Sequence, residues 1–213
     1  AERVRSFCEV MPDRIDSYRD LLEKNEIVLQ RLRNVGAIGQ DELLALGVTG
    51  PLLRSAGYPW DLRKAMPYSS YDDFDFKIPV GTVGDNYDRY RVRVAEMVES
   101  ASIVEQCLDA LPEGPFIADD RKYVLPPRSE LSTSMESLIH HFKLVTEGYR
   151  VAPGEIYYAI ESPRGELGCF VLADGSAKPA RVHLRDPSFV NLQAFRDMSV
   201  DGYVADMICS LGM

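Results

Sequence analysis

The longest regular pattern of apolar and polar positions lies between Asp85 and Pro112. Apolar side chains recur there every three or four residues, which predicts one helix that begins at Asp85 or Asn86 and ends before Pro112. At about 1.5 Å rise per residue, this helix would span on the order of 40 Å. The pattern therefore predicts the central rod of a helical bundle.

Helical spacing also marks both ends of the chain. Residues 2–32 place apolar side chains among Arg, Asp and Glu, and Pro12 is expected to end a first helix or to kink it. Shorter helices are predicted at 41–46, from Pro51 onward, at 191–195 and at 199–211.

A further helix is predicted where Thr133 and Glu136 have the spacing of a capping box, with Gly148 just beyond its end. An apolar face follows that cap, and we expect it to be buried. Its members are Met135, Leu138, Ile139 and Phe142.

The chain after this helix has the composition of strands. Residues 156–160, 169–173 and 180–185 are rich in β-branched and aromatic side chains and are separated by turn signals, which predicts an antiparallel meander. Proline-rich residues 113–130 are predicted to form an irregular connector. The predicted fold class is mainly helical α+β, a helical bundle with a small antiparallel β-meander. We expect one domain, in which residues 1–131 form the bundle and residues 132–213 add the helix, meander and C-terminal helices.

Composition narrows the classes of function. The chain has 213 residues, of which 46% are hydrophobic, and this is enough to bury a sizeable core. A net charge of −9 argues against a nucleic-acid surface, which needs a basic patch. No apolar run approaches the roughly 20 residues of a membrane-spanning helix. Four scattered cysteines without a C-x-x-C pair favour reduced thiols over a zinc site.

The first candidate for chemistry is the turn between the first two predicted strands. Pro163 fixes its own φ, and Gly165 allows backbone angles that other residues avoid, so Arg164 would be presented at a fixed place. An arginine so held keeps its charge and can bind an anion or a carbonyl oxygen. The alternative is a plain hairpin turn with solvated ends.

His140 and His141 are the second candidates. Adjacent positions on a helix point about 100° apart, so these two side chains cannot share one metal in the i, i+4 manner. The sequence therefore predicts no metal site, and one of the two histidines could titrate near physiological pH at an interface.

Several blocks resemble a known family, the 49-kDa or D-type subunit of the proton-pumping NADH:quinone oxidoreductase, respiratory complex I. The blocks are GVTGPLLRSAGYPWDLRKAMPY, GDNYDRY, SMESLIHHF and ESPRGELG, and the resemblance covers nearly the whole chain. That family is homologous to the large subunit of [NiFe] hydrogenases, so the resemblance implies a hydrogenase-large-subunit-like scaffold. The family's N-terminal half is absent, and we expect this chain to be a fragment of a longer one.

The resemblance implies a function in which electrons pass from iron–sulfur clusters to quinone, coupled to proton translocation. This chain would bind no cofactor, quinone would be the substrate, and NAD and the clusters would belong to other subunits. Expected partners are the neighbouring iron–sulfur subunit, a 30-kDa-type subunit and the membrane arm. The expected location is the cytoplasmic side of the bacterial inner membrane, as a peripheral component, and the isolated chain is expected to be inactive.

The resemblance also suggests roles for particular residues. Candidates for the quinone cavity are Arg164, Glu161, Glu166, His140 and His141. Candidates for subunit interfaces are Arg54, Trp60, Asp61, Arg63, Asp88 and Arg89. Two alternatives stay open, the large subunit of a membrane-bound [NiFe] hydrogenase and a non-catalytic assembly module.

Overall fold

The computed structural model describes residues 1–212. About 51% of the chain is helical, with one small three-stranded antiparallel sheet, so the predicted mixed α+β class is confirmed. The helices are α1 (Glu2–Glu23), α2 (Glu26–Leu32), α3 (Gln40–Ala45), α4 (Pro51–Ser55), α5 (Leu62–Ala65), α6 (Asn86–Asp109), α7 (Met135–Thr146), α8 (Pro187–Asn191), α9 (Phe195–Ser199) and α10 (Val204–Gly212). The strands are β1 (Gly154–Ser162), β2 (Gly165–Ala173) and β3 (Arg181–Arg185), in the order β1-β2-β3.

The chain divides into two compact units. The first contains residues 1–111, 159–168 and the chain from Arg185 onward, and the second contains residues 112–158 and 169–184. The predicted division of the fold between residues 131 and 132 stays a prediction.

The long helix α6 is the central element of the first unit, as the periodicity predicts. The Asp85 carboxylate accepts the backbone N–H of Asp88 at 2.8 Å and caps its start. Ile15 of α1, Leu32 of α2 and Val94 of α6 share one apolar cluster.

A second apolar cluster lies around α3 and α4. Ile38, Leu43, Val48, Leu52 and Leu53 pack with Ala194 and Met198 of the C-terminal helices, and Trp60 lies against this cluster. Burial of these side chains contributes roughly 1.5–3 kcal/mol for each large residue. The cluster therefore anchors the short helices on which the candidate site is built.

Some predicted helix boundaries are wrong. Pro12 lies inside α1, and the chain breaks at Asn25, whose side chain caps α2. Ser134, not Thr133, caps α7, because its hydroxyl accepts the N–H of Ser137 at 3.3 Å. Pro187 begins helix α8, where its missing N–H costs no hydrogen bond.

The second unit contains α7 and the outer parts of the strands. Glu130 holds the start of α7, since its carboxylate accepts from the Ser137 hydroxyl at 3.0 Å and from Arg121 at 3.1 Å. The prediction that the apolar face of α7 is buried is wrong. Met135 is 73% exposed and Phe142 is 65% exposed. Helical spacing identifies which side of a helix is apolar, but it does not supply the surface that covers it.

Helical spacing in the last predicted helix indicates that Val204 and Ile208 face inward, and this prediction is also wrong. Val204 and Ile208 of α10 are more than two thirds exposed, whereas Asp206 and Ser210 are buried. The Ser210 hydroxyl accepts a hydrogen bond from the Asn86 amide at 3.1 Å, so polar bonds hold the inner side of α10.

Candidate functional site

The predicted arginine turn connects β1 to β2 and packs closely on the start of α4. Gly165 has a φ of +130°, and a Cβ there would lie 2.6 Å from the Thr49 hydroxyl oxygen. Gly50 has a φ of +77°, and a Cβ there would lie 2.5 Å from the Arg164 carbonyl oxygen. Both glycines are therefore needed for the backbones to approach this closely.

Side-chain hydrogen bonds fix the same contact. The Asn191 amide donates to the carbonyl oxygens of Arg164 at 3.1 Å and Thr49 at 3.3 Å, and its oxygen accepts the Thr49 N–H at 3.3 Å. The Thr49 hydroxyl accepts the Glu166 N–H at 3.0 Å. Arg185 adds bonds to the carbonyl oxygens of Glu166 and Gly47, at 2.8 and 2.9 Å. The turn is thus held on both sides of Arg164.

The Arg164 side chain faces two cavities of the first unit. Its guanidinium donates to the Ser188 hydroxyl at 3.2 Å and makes no ion pair with any residue of the described chain. One cavity has a volume of about 500 Å³ and the other about 700 Å³, and both have Arg164 and Arg93 in their walls.

Both cavities are lined largely by apolar side chains. The smaller one is bounded by Leu52, Leu192, Phe195 and Met198, and the larger one by Phe7, Met11, Met97 and Val104. Burial lowers the pKa of Arg93, and the positive charges of Arg164 and Arg54 lower it further, while Glu96 opposes the shift. Two guanidinium groups therefore stand beside apolar space, and neither is bonded to a carboxylate of residues 1–212.

A buried charge cluster forms one wall of the larger cavity, centred on Arg54 of α4. The Arg54 side chain is 1% exposed, and its Nε and Nη2 lie 2.8 and 2.7 Å from one oxygen, Glu96 Oε1. Its Nη1 lies 2.8 Å from Glu161 Oε1 and also donates to the Trp60 carbonyl oxygen at 2.8 Å. One guanidinium thus joins α4, α6 and β1.

Asp61 and Arg63 extend this cluster. Asp61 caps α5, and its carboxylate lies 2.6 Å from Arg63 Nη2 and 3.8 Å from Arg54 Nη1. Glu161 Oε2 accepts the Leu62 N–H at 3.3 Å, which ties the end of β1 to the same helix. The cluster contains Arg54, Arg63, Asp61, Glu96 and Glu161, and we call it the Arg54 cluster.

The carboxyl groups of the Arg54 cluster have opposite electrostatic tendencies. Burial raises the pKa of Glu96 and of Glu161 above the usual range for glutamate, although Arg54 opposes the shift. Burial would also raise the pKa of Asp61, but hydrogen bonds and charge from Arg63 prevail and lower it. The pKa shifts thus favour the ionised form of Asp61 and the protonated forms of Glu96 and Glu161.

Asp88 and Arg89 lie in the first unit near the start of α6. The Asp88 carboxylate accepts the N–H groups of Thr82 and Val83, at 2.8 and 2.7 Å, and these bonds hold the pKa of Asp88 below its usual value against the effect of burial. Arg89 donates to Asn86 and to the carbonyl oxygens of Gly36 and Gly84, and burial lowers its pKa to about 10. Both side chains are buried within this chain, and a role at a subunit interface stays a prediction.

The structure brings together some of the predicted site residues. Arg54, Asp61, Arg63 and Glu161 meet in the Arg54 cluster, which was predicted only as separate interface and cavity candidates. Glu166 lies 3.8 Å from Arg185 and does not line the two cavities of the described chain. His140 and His141 lie on α7 in the second unit. Their roles stay predictions.

Sequence reasoning missed Glu96, Arg93 and Asn191. A signal was present for two of them, because Arg89, Arg93 and Glu96 are spaced by four and three residues and so share one face of α6. The apolar stripe of the same helix concealed that polar face. No sequence pattern could identify Asn191, because its hydrogen-bond partners Thr49 and Arg164 lie far from it in the sequence.

Two properties of residues 1–212 bear on the class of site. Among residues 1–212, no group of three or more His, Cys, Asp and Glu side chains is arranged to hold a metal ion. Within the same range, helices both long and apolar enough to cross a bilayer do not occur. All four cysteines are free thiols. The candidate site consists of two cavities bordered by Arg164 and Arg93, with the buried Arg54 cluster in the wall of the larger one.

Comparison with known proteins identifies the class. The model of the family described as the respiratory-chain NADH dehydrogenase 49 Kd subunit matches residues 1–213. The chain belongs to this family.

The relatives agree with the family match, and each is named as a D-type subunit of NADH-quinone oxidoreductase. The chain is 50% identical over 211 residues to the relative from Koribacter versatilis, with 99% of this chain and 53% of the relative covered. It is 53% identical over 208 residues to the relative from Chloroflexus aurantiacus, with coverages of 96% and 51%. Identity to the relative from Anaplasma marginale is 48% over 209 residues, with coverages of 98% and 52%. The chain spans about half the length of these relatives.

Proposed function

We propose that this chain contributes part of the quinone-binding cavity of a proton-pumping NADH:quinone oxidoreductase. The observation that carries the proposal is Arg164, whose turn is fixed by Thr49, Gly50 and Asn191. Its guanidinium borders two apolar cavities and is not bonded to a carboxylate in the part of the chain that the structure describes. An apolar pocket with a few fixed polar groups is the usual form of a site for a small organic molecule. Family membership and the relatives' names indicate quinone as that molecule.

The positive charge of Arg164 would act on the reaction through electrostatics. Reduction of a quinone places negative charge on its carbonyl oxygens before protons arrive. A donor that is already positioned stabilises that charge more than it stabilises the neutral quinone, because it does not have to reorganise. The electrons would come from iron–sulfur clusters held by partner subunits, and NAD would bind elsewhere in the complex.

The assembly around the chain follows from the same family. We propose that its partners are the neighbouring iron–sulfur subunit, a 30-kDa-type subunit and the membrane arm, and that it lies at the cytoplasmic side of the bacterial inner membrane as a peripheral component. Proton translocation would be a property of the whole complex, and the chain alone would be inactive. We further propose that the scaffold is that of the [NiFe]-hydrogenase large subunit.

The test is replacement of Arg164 in the assembled complex. Arg164→Ala is expected to lower quinone-dependent NADH oxidation by about 100-fold, the size typical for removal of one charge-stabilising donor. Arg164→Lys keeps a positive charge and is expected to retain more activity. Electron transfer from NADH to a water-soluble acceptor should stay unchanged, because that reaction does not need the quinone site.

Arg196→Ala is the matched control, because Arg196 is exposed on α9 of the same unit. It should leave both reactions unchanged. Unchanged quinone reduction and unchanged dependence on quinone concentration in Arg164→Ala would overturn the proposal.

A further inference from the structure

Glu96 is a second ionisable residue at the larger cavity, and the proposed role of Arg164 does not involve it. It lies on α6 at the border between the Arg54 cluster and the larger cavity, and its side chain is 16% exposed, whereas the Glu161 side chain is 3% exposed. Of the two glutamates bound to Arg54, Glu96 therefore has the better access to the cavity.

The hydrogen bonds of Glu96 leave one oxygen available for a proton. Both Arg54 contacts, at 2.8 and 2.7 Å, go to Oε1, and no residue among 1–212 donates a hydrogen bond to Oε2. In Glu161 both oxygens accept, one from Arg54 and the other from the Leu62 N–H. Glu96 can thus bind a proton on Oε2 and keep its bonds to Arg54, whereas Glu161 would lose a bond by doing so.

The charge count of the cluster favours one bound proton. Within 4 Å ion-pair distances it contains three carboxyl groups, Asp61, Glu96 and Glu161, against two guanidinium groups. Asp61 stays ionised beside Arg63, and burial of an unbalanced negative charge is costly. Protonation of one glutamate removes this excess within the cluster, while Arg93 and Arg164 in the cavity wall act against it by favouring the ionised form.

Other charged or titratable groups surround Glu96. Arg93, on the same helix, attracts its carboxylate without forming an ion pair in the described chain, and Arg164 lies in the wall of the same cavity. Tyr71 and Cys8 complete the titratable lining, from the short helical turn at 71–73 and from α1. The cations favour release of the proton to a reduced, negatively charged quinone, and burial favours its uptake.

We propose that Glu96 is the proton-loading group of the cavity and supplies a proton to the quinone reduced there. This inference rests on the proposed function. In the transfer, the O–H bond at Glu96 Oε2 breaks and an O–H bond forms on a quinone oxygen, while both electrons come from the iron–sulfur clusters of partner subunits. Water that enters the cavity returns the proton to the carboxylate.

The experiment uses the assembled complex that carries the full-length subunit. Glu96→Gln keeps the size of the side chain and an oxygen that accepts from Arg54, but it cannot release a proton. We expect kcat for quinone reduction to fall at least about tenfold, within the range for loss of a general acid, with KM for quinone nearly unchanged. The fall of kcat with rising pH should flatten, and Glu96→Asp should restore part of the rate and of the pH dependence.

The control is Glu99→Gln, the same change one turn further along α6. Glu99 accepts the Lys77 N–H at 2.9 Å outside the Arg54 cluster. This variant should behave as the parent complex, and assembly of each variant is checked by its NADH oxidation with a water-soluble acceptor.

A second measurement does not depend on turnover. Infrared difference spectra of the complex, with carboxyl-labelled glutamate, should show one protonated carboxyl signal that Glu96→Gln removes and Glu99→Gln keeps. Persistence of that signal in Glu96→Gln, or its loss without any change in kcat, would overturn the inference. Loss of activity in Glu96→Gln beside a fully active Arg164→Ala would instead overturn the proposed role of Arg164.

Discussion

The Arg54 cluster and the apolar face of α7 both depart from the usual rule for side-chain burial. The cluster buries ionisable groups, and the face of α7 exposes apolar ones. In the first unit the Arg54 side chain is 1% exposed, and the other four members of its cluster are all ionisable. In the second unit Phe142 is 65% exposed on a helix whose pattern predicts burial. Charged groups are seldom fully buried, and large apolar faces are seldom left open.

The two regions differ in whether the chain itself supplies the partners of their side chains. Hydrogen bonds among four elements, α4, α5, α6 and β1, compensate most of the charge of the Arg54 cluster within the chain. The face of α7 has no such compensation in the described chain. The first region is therefore expected to determine the stability of the chain, and the second to determine its association.

Loss of Arg54 should have the largest effect on stability. Arg54→Ala would leave Glu96 and Glu161 buried without their shared partner, and the free energy of unfolding is expected to fall by about 3–5 kcal/mol. Urea unfolding measures this change. Arg91→Ala is the control, since Arg91 is mostly exposed and lies 3.9 Å from Asp88, and it should cost less than about 1 kcal/mol. Equal effects of the two changes would contradict the account of the cluster.

Gly50→Ala should have a smaller effect on stability and a specific effect on the arginine turn. The added methyl group would meet the Arg164 carbonyl oxygen, and a φ of +77° is strained for alanine, so we expect a loss of about 1–3 kcal/mol. Gly154→Ala, where a Cβ meets no atom of the described chain within 4 Å, is the control. Quinone reduction should fall in Gly50→Ala alone. Normal quinone reduction in Gly50→Ala would show that activity does not depend on a rigidly held arginine turn.

The pH dependence of stability should reflect the glutamates of the Arg54 cluster. Their folded pKa values are raised, so their contribution is complete below the unfolded value of about 4.3 and is lost as pH rises through the folded value. Asp61 has a lowered pKa and acts in the opposite sense, with a contribution lost as pH falls through its folded value.

Urea unfolding over a series of pH values measures this dependence. Glu96→Gln should reduce the loss of stability on the alkaline side of the glutamate titration, whereas Glu99→Gln should not. An identical pH dependence for parent and Glu96→Gln would mean that Glu96 titrates normally.

The smallest effect on folding is expected at the face of α7. Phe142→Ser removes an exposed ring, so the free energy of unfolding should change by less than about 0.5 kcal/mol, while self-association should decrease. Leu53→Ala, at a buried position of the first unit, should cost about 2–5 kcal/mol. A cost of that size for Phe142→Ser would mean that the ring is covered in the folded chain.

Local signals predicted much of the fold. The cap at Asp85, Pro51 and Gly148 act within a few residues, and α6, α4 and the end of α7 are where they indicate. Pro12 does not end the first helix, and Cys8 and Ile15 on either side of it are buried, while the kink predicted as the alternative stays a prediction.

The site was predicted only in part. The Pro163, Arg164 and Gly165 turn has a local signature, so its rigidity could be inferred before the structure. The Arg54 cluster joins residues more than 100 positions apart, and no spacing rule connects Arg54 with Glu161. Such contacts require the tertiary fold.

The most direct test of the central claim is a structure of the assembled complex with a quinone analogue bound. The account predicts that the analogue's headgroup lies within hydrogen-bond distance of the Arg164 guanidinium, in a cavity whose wall includes Glu96. A headgroup bound elsewhere, with Arg164 directed into solvent, would contradict it.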